Sequence, residues 1–209
     1  MVNIYKRVLT PEQALDTKSP LPHSKLWGIT INKLKLTNLQ REILRLLFVR
    51  AGILLNQRQI AMSLNVSQPA VMKALPILEK ENFILIRKDK ETKRWAIELN
   101  RGNHKAMQLK RTDNLKQIYE SGLSDFLEKE FAGATIILFG SYSRGDDTLH
   151  SDIDIAIIGR KEKSVDLEQF EKMLERKIRI NFYDSFKEIH KNLKENLSNG
   201  ILLSGGIEL

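Results

Sequence analysis

Residues 139–155 read FGSYSRGDDTLHSDIDI, and this stretch decides the fold of the second half of the chain. A strand ends at Gly140-Ser141, where a glycine lets the backbone approach a ligand and a hydroxyl and free amides can meet a phosphate. Asp152 and Asp154 stand two residues apart on the next strand, so they point to the same face. Two like charges this close are unfavourable without compensation. Mg²⁺, which binds carboxylates together with substrate phosphates, would compensate them.

The residues around this stretch alternate between strand and helix patterns. Apolar runs predict strands over 135–139, 153–158, 177–184 and 201–203, and helices over 114–131, 165–175 and 186–197. We interpret 140–151 as a mostly exposed loop. Residues 113–209 are therefore expected to form a small α/β domain with a mixed sheet.

The glycine-serine turn, ten intervening residues and Asp-Ile-Asp together resemble the signature of the polymerase-β-type nucleotidyltransferase superfamily. With Arg144-Gly145 and Ser151 in register, the stretch is similar to the minimal nucleotidyltransferase branch. The resemblance implies that Gly140 and Ser141 hold a nucleoside triphosphate. It also implies that Asp152 and Asp154 bind Mg²⁺ and are catalytic.

The same resemblance implies a reaction, the transfer of a nucleoside monophosphate to a hydroxyl with release of pyrophosphate. Arg144 would fix a phosphate or the turn, and the alternative is a surface ion pair with Asp146 or Asp147. His150 is interpreted as a loop residue rather than a catalytic base.

The family requires a third carboxylate on a later strand, which completes the metal site and can activate the attacking hydroxyl. By pattern this position falls at Asn181 or, as the weaker alternative, at Arg179, and neither residue is acidic. Asp184 is offset by three residues and would face away. Asn181 is therefore expected to be a degenerate third position, which would leave a domain that binds nucleotide and transfers it slowly or not at all.

A second informative stretch, residues 57–79, reads QRQIAMSLNVSQPAVMKALPILE. It predicts a short helix, a turn at 65–67, and a helix over 68–81 that is capped by Ser67 and has Pro69 in its first turn. The buried face of that helix is expected to hold Val71, Met72, Leu75 and Leu78. A helix precedes this stretch, and a hairpin of 83–87 and 94–99 follows it.

This order of elements resembles winged-helix transcription regulators, in which the second helix of the motif enters the major groove. Trp95 is predicted to lie in the core. The alternatives are that the winged helix binds a protein and that the wing lysines form only a solvated face. The residues expected to contact DNA are Arg58, Ser67, Gln68, Lys73, Lys90 and Lys93.

The charge differs between the two halves. The first 112 residues carry a net charge of +13, whereas the last 97 carry −5. This asymmetry favours a nucleic acid as the partner of the first half and a divalent cation as the partner of the second. We predict an N-terminal arm (1–36), a winged helix-turn-helix domain (37–101), a basic linker (102–112) and a nucleotidyltransferase-like domain (113–209).

The chain contains no cysteine, which excludes disulfides, thiolate nucleophiles and cysteine-based metal sites. It has no apolar run long enough for a signal peptide or a membrane span. We therefore expect an α+β, two-domain, cytoplasmic protein that does not enter membranes.

We expect the protein to bind DNA and a nucleoside triphosphate with Mg²⁺ as cofactor. The leading hypothesis is nucleotidyl transfer. The alternatives are a regulator with a degenerate, nucleotide-sensing domain, and, by resemblance, an antitoxin that pairs with a small helical protein. The sequence leaves open whether the protein forms a homodimer.

Overall fold

A computed structural model describes residues 35–88 and 95–207. Nearly all of the predicted arm (1–36) and the wing lysines Lys90 and Lys93 lie outside these ranges. Residues Leu36–Leu209 belong to one compact unit that contains both a winged helix and a larger α/β region. Among the described residues, no helix combines the length and apolar character that crossing a membrane requires.

The first region has the predicted winged helix-turn-helix order. Leu55 exchanges two backbone hydrogen bonds with Ile97, at 2.9 and 2.7 Å, and so adds a short third strand to the hairpin. The elements are α1 (Asn38–Val49), α2 (Gln57–Ser63), α3 (Gln68–Lys80), and the antiparallel strands β1 (Ile84–Lys88) and β2 (Trp95–Leu99).

Helix α3 begins as predicted, because the Ser67 hydroxyl accepts a hydrogen bond from the Ala70 amide at 3.3 Å. Its buried stripe consists of Val71, Ala74, Leu75 and Leu78, which follow the spacing of one helix face. The prediction that Met72 is buried was wrong. Met72 is turned by one residue from this stripe, and 45% of its surface is exposed.

Helix α4 (His104–Glu120) contains most of the stretch 102–112 that was predicted to be a linker. The basic composition of this stretch suggested solvent exposure, but Lys110 is fully buried. The predicted helix over 114–131 is also interrupted. Gly122 adopts a left-handed backbone conformation (φ +76°), and it separates α4 from α5 (Leu123–Glu130).

The second region is built on a four-stranded mixed sheet, as the sequence predicted, and the strand order is β5-β4-β3-β6. β4 and β5 are parallel, whereas β3 pairs antiparallel with β4 and β6. Its elements are β3 (Thr135–Phe139), α6 (Gly140–Arg144), β4 (Ile153–Ile158), α7 (Glu168–Leu174), β5 (Ile178–Tyr183), α8 (Lys191–Ser198) and β6 (Ile201–Ser204).

The helix predicted over 186–197 is a 3₁₀ turn (Phe186–Glu188) followed by α8. Between them, Ile189 has an extended backbone, and its side chain is buried with Ile137, Phe139 and Ala156 under one face of the sheet. Burial of this side chain therefore takes precedence over a continuous helix. The opposite face of the sheet carries the larger core, to which α4, α5 and α7 contribute.

Asp147 connects the two regions. Its fully buried carboxylate accepts hydrogen bonds from Lys110 Nζ at 2.5 Å and from Asn114 Nδ2 at 2.7 Å. The other carboxylate oxygen lies 3.4 Å from Arg176 Nη2, which also donates to the backbone carbonyl of Val49 at 2.7 Å. Since Val49 ends α1, one buried carboxylate organises contacts to the winged helix, α4 and the segment before β5.

Further contacts hold the same loop against its neighbours. Leu149 donates its backbone N–H to the Ala51 carbonyl at 3.4 Å. Gly145 has a left-handed backbone (φ +81°), and a side chain there would collide with the backbone of α4 at Arg111. The prediction of a mostly exposed loop over 140–151 was therefore wrong, because Asp147 draws the middle of the loop inward.

We expect Asp147→Ala to lower the free energy of unfolding by about 3–5 kcal/mol, because Lys110 and Arg176 would remain buried without their counter-charge. Urea unfolding measures the change. The matched control is Asp146→Ala, which removes only an exposed pair with Arg144 and should have little effect. Equal losses in the two variants would contradict this assignment.

Candidate functional site

The turn that follows β3 lies beside the carboxylates of β4. Phe139, the last residue of β3, pairs with Asp154. Gly140 has a left-handed backbone (φ +73°), and a Cβ atom at this position would collide with the Asp154 carboxylate. The structure therefore brings the predicted Gly140-Ser141 turn and the predicted aspartates together.

Asp152 and Asp154 lie on one sheet face and are half-buried. Burial raises the pKa of the Asp154 carboxyl above its ordinary value, and the nearby charge of Asp152 adds to this rise, whereas Arg179 opposes it. Burial also raises the pKa of the Tyr183 hydroxyl, and the Asp154 charge contributes. The two carboxylates of the free site therefore favour the approach of a cation.

The side chain that meets this pair is a cation from β5. Arg179 is the register partner of Asp154, and its Nη2 atom lies 2.6 Å from Asp152 Oδ2. Asn181 shares this face but pairs with Ala156, one step further along the strand. That Asn181 is a degenerate third position stays a prediction. The β5 residue that contacts the Asp152 carboxylate is Arg179.

Within 35–88 and 95–207, no group of three histidine, aspartate or glutamate side chains is arranged to hold a metal ion. Asp152 and Asp154 supply two carboxylates. Because Mg²⁺ is commonly bound by one or two carboxylates together with substrate phosphates, this pair fits a metal that arrives with a triphosphate. Arg179 is largely exposed, so solvent weakens its ion pair with Asp152.

Other residues near the turn have local partners. Arg144 Nε lies 3.1 Å from Asp146 Oδ2, which is the ion-pair alternative considered for this residue. Its role in phosphate binding stays a prediction. Ser143 is buried and donates its hydroxyl to the Gly140 carbonyl at 2.9 Å, which fixes the shape of the turn.

The sequence reasoning missed Lys110, Asp147 and Arg176, which hold the loop between the turn and the aspartates. Lys110 was assigned to a linker, and Asp147 was considered only as a partner of Arg144. Burial lowers the pKa of Lys110, although the neighbouring Asp147 opposes this shift. The one available signal was the spacing of Lys110 and Asn114. They are four residues apart and so share one helix face, from which both contact the Asp147 carboxylate.

The candidate nucleic-acid interface lies on the winged helix. Arg58, Gln68 and Lys73 are exposed on α2 and α3, whereas the Ser67 hydroxyl caps α3. The prediction that Trp95 lies in the core was wrong, because it is 45% exposed at the start of β2. Its surface forms part of a groove of about 320 Å³ that is also lined by Asn56, Gln57, Arg58 and Gln68.

Comparison with protein families identifies both regions. Residues 36–95 match the MarR family. Residues 120–203 match the nucleotidyltransferase domain family. The chain therefore joins a MarR-type winged helix to a nucleotidyltransferase domain. The sequence motifs predicted a winged helix and a nucleotidyltransferase domain, and the comparison adds the MarR family. A search of curated proteins returned no match.

Several solved structures are similar to about half of the chain. A DNA complex of MepR from S. aureus is 26% identical and covers 46% of this chain and 81% of its own, with a TM-score of 0.34. The adhesin competence repressor AdcR from Streptococcus pyogenes is 28% identical and covers 47% and 69%, with a TM-score of 0.37. A ZitR mutant from Lactococcus lactis is 26% identical and covers 53% and 72%, with a TM-score of 0.36.

The raised pKa of Asp154 predicts that Asp154→Asn increases the thermal stability of the protein in magnesium-free buffer, by an amount that depends on pH. A folded-state pKa above the unfolded value means that the stability contributed by this group is present at low pH and is lost as the pH rises through the folded pKa. The variant should therefore unfold at a higher temperature than the wild type at pH 7. The difference should vanish below about pH 4, where unfolded aspartate is also protonated.

Thermal unfolding between pH 3 and pH 8 measures this difference, with Asp125→Asn on the exposed side of α5 as the control. A difference that does not vary with pH would contradict the assigned direction of the shift.

Proposed function

We propose that this chain, in which a MarR-type winged helix is joined to a nucleotidyltransferase domain, is a DNA-binding transcription regulator whose second domain binds a nucleoside triphosphate with Mg²⁺. Nucleotide occupancy of the second domain would alter DNA binding by the first. In this proposal the nucleotidyltransferase domain is catalytically degenerate and acts as a sensor.

The DNA-binding part is supported by charge and exposure. The first 112 residues carry a net charge of +13, and cationic side chains that neutralise phosphates supply most of the affinity for duplex DNA. Helix α3 exposes Gln68 and Lys73 at its N-terminal half, where the recognition helix of a helix-turn-helix contacts base edges.

The nucleotide part is supported by the turn and the carboxylate pair. Gly140 and Ser141 would hold the phosphates, and Asp152 and Asp154 would hold Mg²⁺. When bound, the ion neutralises charge on the triphosphate. Arg179 would leave Asp152 and bind a phosphate oxygen, because a guanidinium makes strong charge-assisted hydrogen bonds to phosphate.

Weak transfer follows from the residues of β5. Activation of an acceptor hydroxyl needs a third carboxylate as metal ligand or base. The candidates at this position are Arg179 and Asn181. Neither can accept a proton from a hydroxyl, so the site would bind substrate without an efficient chemical step.

The observation that carries the sensor proposal is the position of Asp147. It lies between the phosphate turn and Asp152 in the same loop, and through Arg176 it is connected to the Val49 carbonyl at the end of α1. A movement of the turn or of the aspartates on nucleotide binding would therefore reach the winged helix through Asp147 and Arg176.

A second candidate is an active nucleotidyltransferase that modifies a hydroxyl acceptor. The intact Gly140-Ser141 turn and the close approach of Gly140 to Asp154 favour it. Rapid pyrophosphate release by the wild-type chain, unchanged or reduced by Asn181→Asp, would replace the sensor proposal with this one. An antitoxin role with a small helical partner rests on the sequence resemblance alone.

Nucleotide binding is tested with the double variant Asp152→Ala/Asp154→Ala. We expect the full chain to bind a nucleoside triphosphate only with Mg²⁺, and the double variant to lose this binding while remaining folded. Calorimetric titration with each of the four common ribonucleoside triphosphates measures it, and Asp125→Ala on α5 is the control. Equal binding by wild type and double variant would exclude the carboxylates as metal ligands.

DNA binding is tested by its dependence on salt. Each phosphate neutralised by the protein contributes a slope of about −0.9 to the change of log affinity with log salt concentration. We expect steep salt dependence on a mixed-sequence duplex, and weaker binding by Lys73→Glu. The charge-matched control is Lys129→Glu on α5, which should bind like wild type. A full chain without salt-sensitive binding would refute the proposal.

A further inference from the structure

The outward side of α3 is apolar at the positions best placed to enter a groove. Pro69 and Pro76 are exposed on the side opposite the buried stripe, and Met72 is exposed between that side and the stripe. Met72 leaves 45% of its surface uncovered. The part of an apolar side chain that remains in water gains no free energy from burial in the fold. The position of these side chains on the helix that carries Gln68 and Lys73 therefore suggests a ligand.

The flanking charge selects the kind of ligand. Lys73 and Lys80 lie on the exposed side of α3, and Arg58 is exposed on α2. An apolar ridge next to cationic side chains complements a surface that offers both anionic and apolar groups. The major groove of DNA is such a surface, because phosphates border it and thymine methyl groups project into it.

The side chains of the ridge match one type of base pair. An amide of glutamine pairs in two places with adenine N6 and N7, and apolar side chains contact the thymine methyl group. Arginine and lysine are the usual partners of guanine. α3 contains no arginine, and in this interpretation its lysines bind phosphates. Gln68 and Met72 are four residues apart and therefore adjacent on the helix surface, so they can contact neighbouring bases.

A second contact supports this role for Met72. The Gln57 amide of α2 lies against the Met72 sulfur atom. Gln57 and Gln68 also line the same groove, which is open beside Trp95. The exposed thioether thus lies beside a groove that amide side chains line.

We infer that α3 reads A·T base pairs in the major groove. Gln68 pairs with adenine, and Met72, together with Pro69, packs against thymine methyl groups. This inference rests on the proposed DNA binding and adds to it the class of sequence that the protein selects. Lys73 contacts phosphate and contributes affinity without selectivity.

The test uses the full chain and four alternating duplexes at one salt concentration. Poly(dA-dT) presents both features, and poly(dA-dU) lacks only the thymine methyl groups. Poly(dI-dC) presents the same groups as A·T pairs in the minor groove and as G·C pairs in the major groove. Poly(dG-dC) consists of G·C pairs and is the reference for both grooves. Competition against a labelled duplex, read by fluorescence anisotropy, gives the four affinities.

We expect poly(dA-dT) to bind most tightly. The loss of the methyl group in poly(dA-dU) should weaken binding by about fourfold, the effect of one buried methyl group. Both poly(dI-dC) and poly(dG-dC) should bind about tenfold or more weakly than poly(dA-dT), because the adenine pairing is lost.

Two variants assign the effect to the ridge. Met72→Ala should reduce the difference between poly(dA-dT) and poly(dA-dU), because Pro69 alone then contacts the methyl groups, while leaving the affinity for poly(dA-dU) unchanged. Gln68→Ala should reduce the preference for poly(dA-dU) over poly(dG-dC). The control is Ile77→Ala, which removes an equally exposed apolar side chain of α3 at the edge of the outward side and should leave all four affinities unchanged.

The outcomes separate the inference from the proposal beneath it. Salt-sensitive binding of equal strength to all four duplexes would overturn A·T reading while DNA binding stands. Equal affinities for poly(dI-dC) and poly(dA-dT) would also overturn it, since they indicate the minor groove. Absence of binding to every duplex would refute DNA binding itself, and would leave the apolar ridge as a surface for a protein.

Discussion

A carboxylate without water must be surrounded by donors and positive charge, and the burial of Asp147 imposes this requirement on the whole molecule. Lys110 comes from α4, Arg176 comes from the segment before β5, and both are almost completely removed from solvent. A buried ion pair of this kind adds little net stability compared with apolar residues, but it is very costly to break. Its effect is therefore to specify one arrangement of winged helix, α4 and sheet rather than to strengthen it.

At the candidate site, too, carboxylates are compensated by a cation, but this cation is not fixed by burial. Asp152 and Asp154 share one sheet face, and Arg179 offsets part of their charge at 2.6 Å from Asp152. This arginine remains largely exposed, unlike Arg176. The molecule thus contains one carboxylate whose cations are fixed by burial and a carboxylate pair whose cation is exchangeable. Fixed charges define the fold, and an exchangeable charge leaves a position for a ligand.

Local signals allowed much of the fold and part of the site to be predicted. The Ser67 cap, the hairpin pattern and the Gly140-Ser141 turn depend on residues near one another in sequence, and each appears where it was expected. The features that were missed depend on distant partners. Lys110 belongs to a basic stretch, and only the fold shows that it meets Asp147, while the pairing of Arg179 with Asp154 depends on the β4–β5 register. Met72 and Trp95 were predicted to be buried because apolar character was taken as evidence of a core, and the exposure of Met72 is what allows the contact with DNA that we infer for it.

The hydrogen bond from Arg176 to the Val49 carbonyl joins residues that are 127 positions apart, and this separation has a consequence during synthesis on the ribosome. Chains emerge at about 5–20 residues per second, so Val49 precedes Arg176 by roughly 6 to 25 seconds. The winged helix is therefore complete in sequence long before the arginine that closes the end of its first helix exists. A nascent chain passes through a stage at which α3 can form while the surface that receives the second domain is still uncovered.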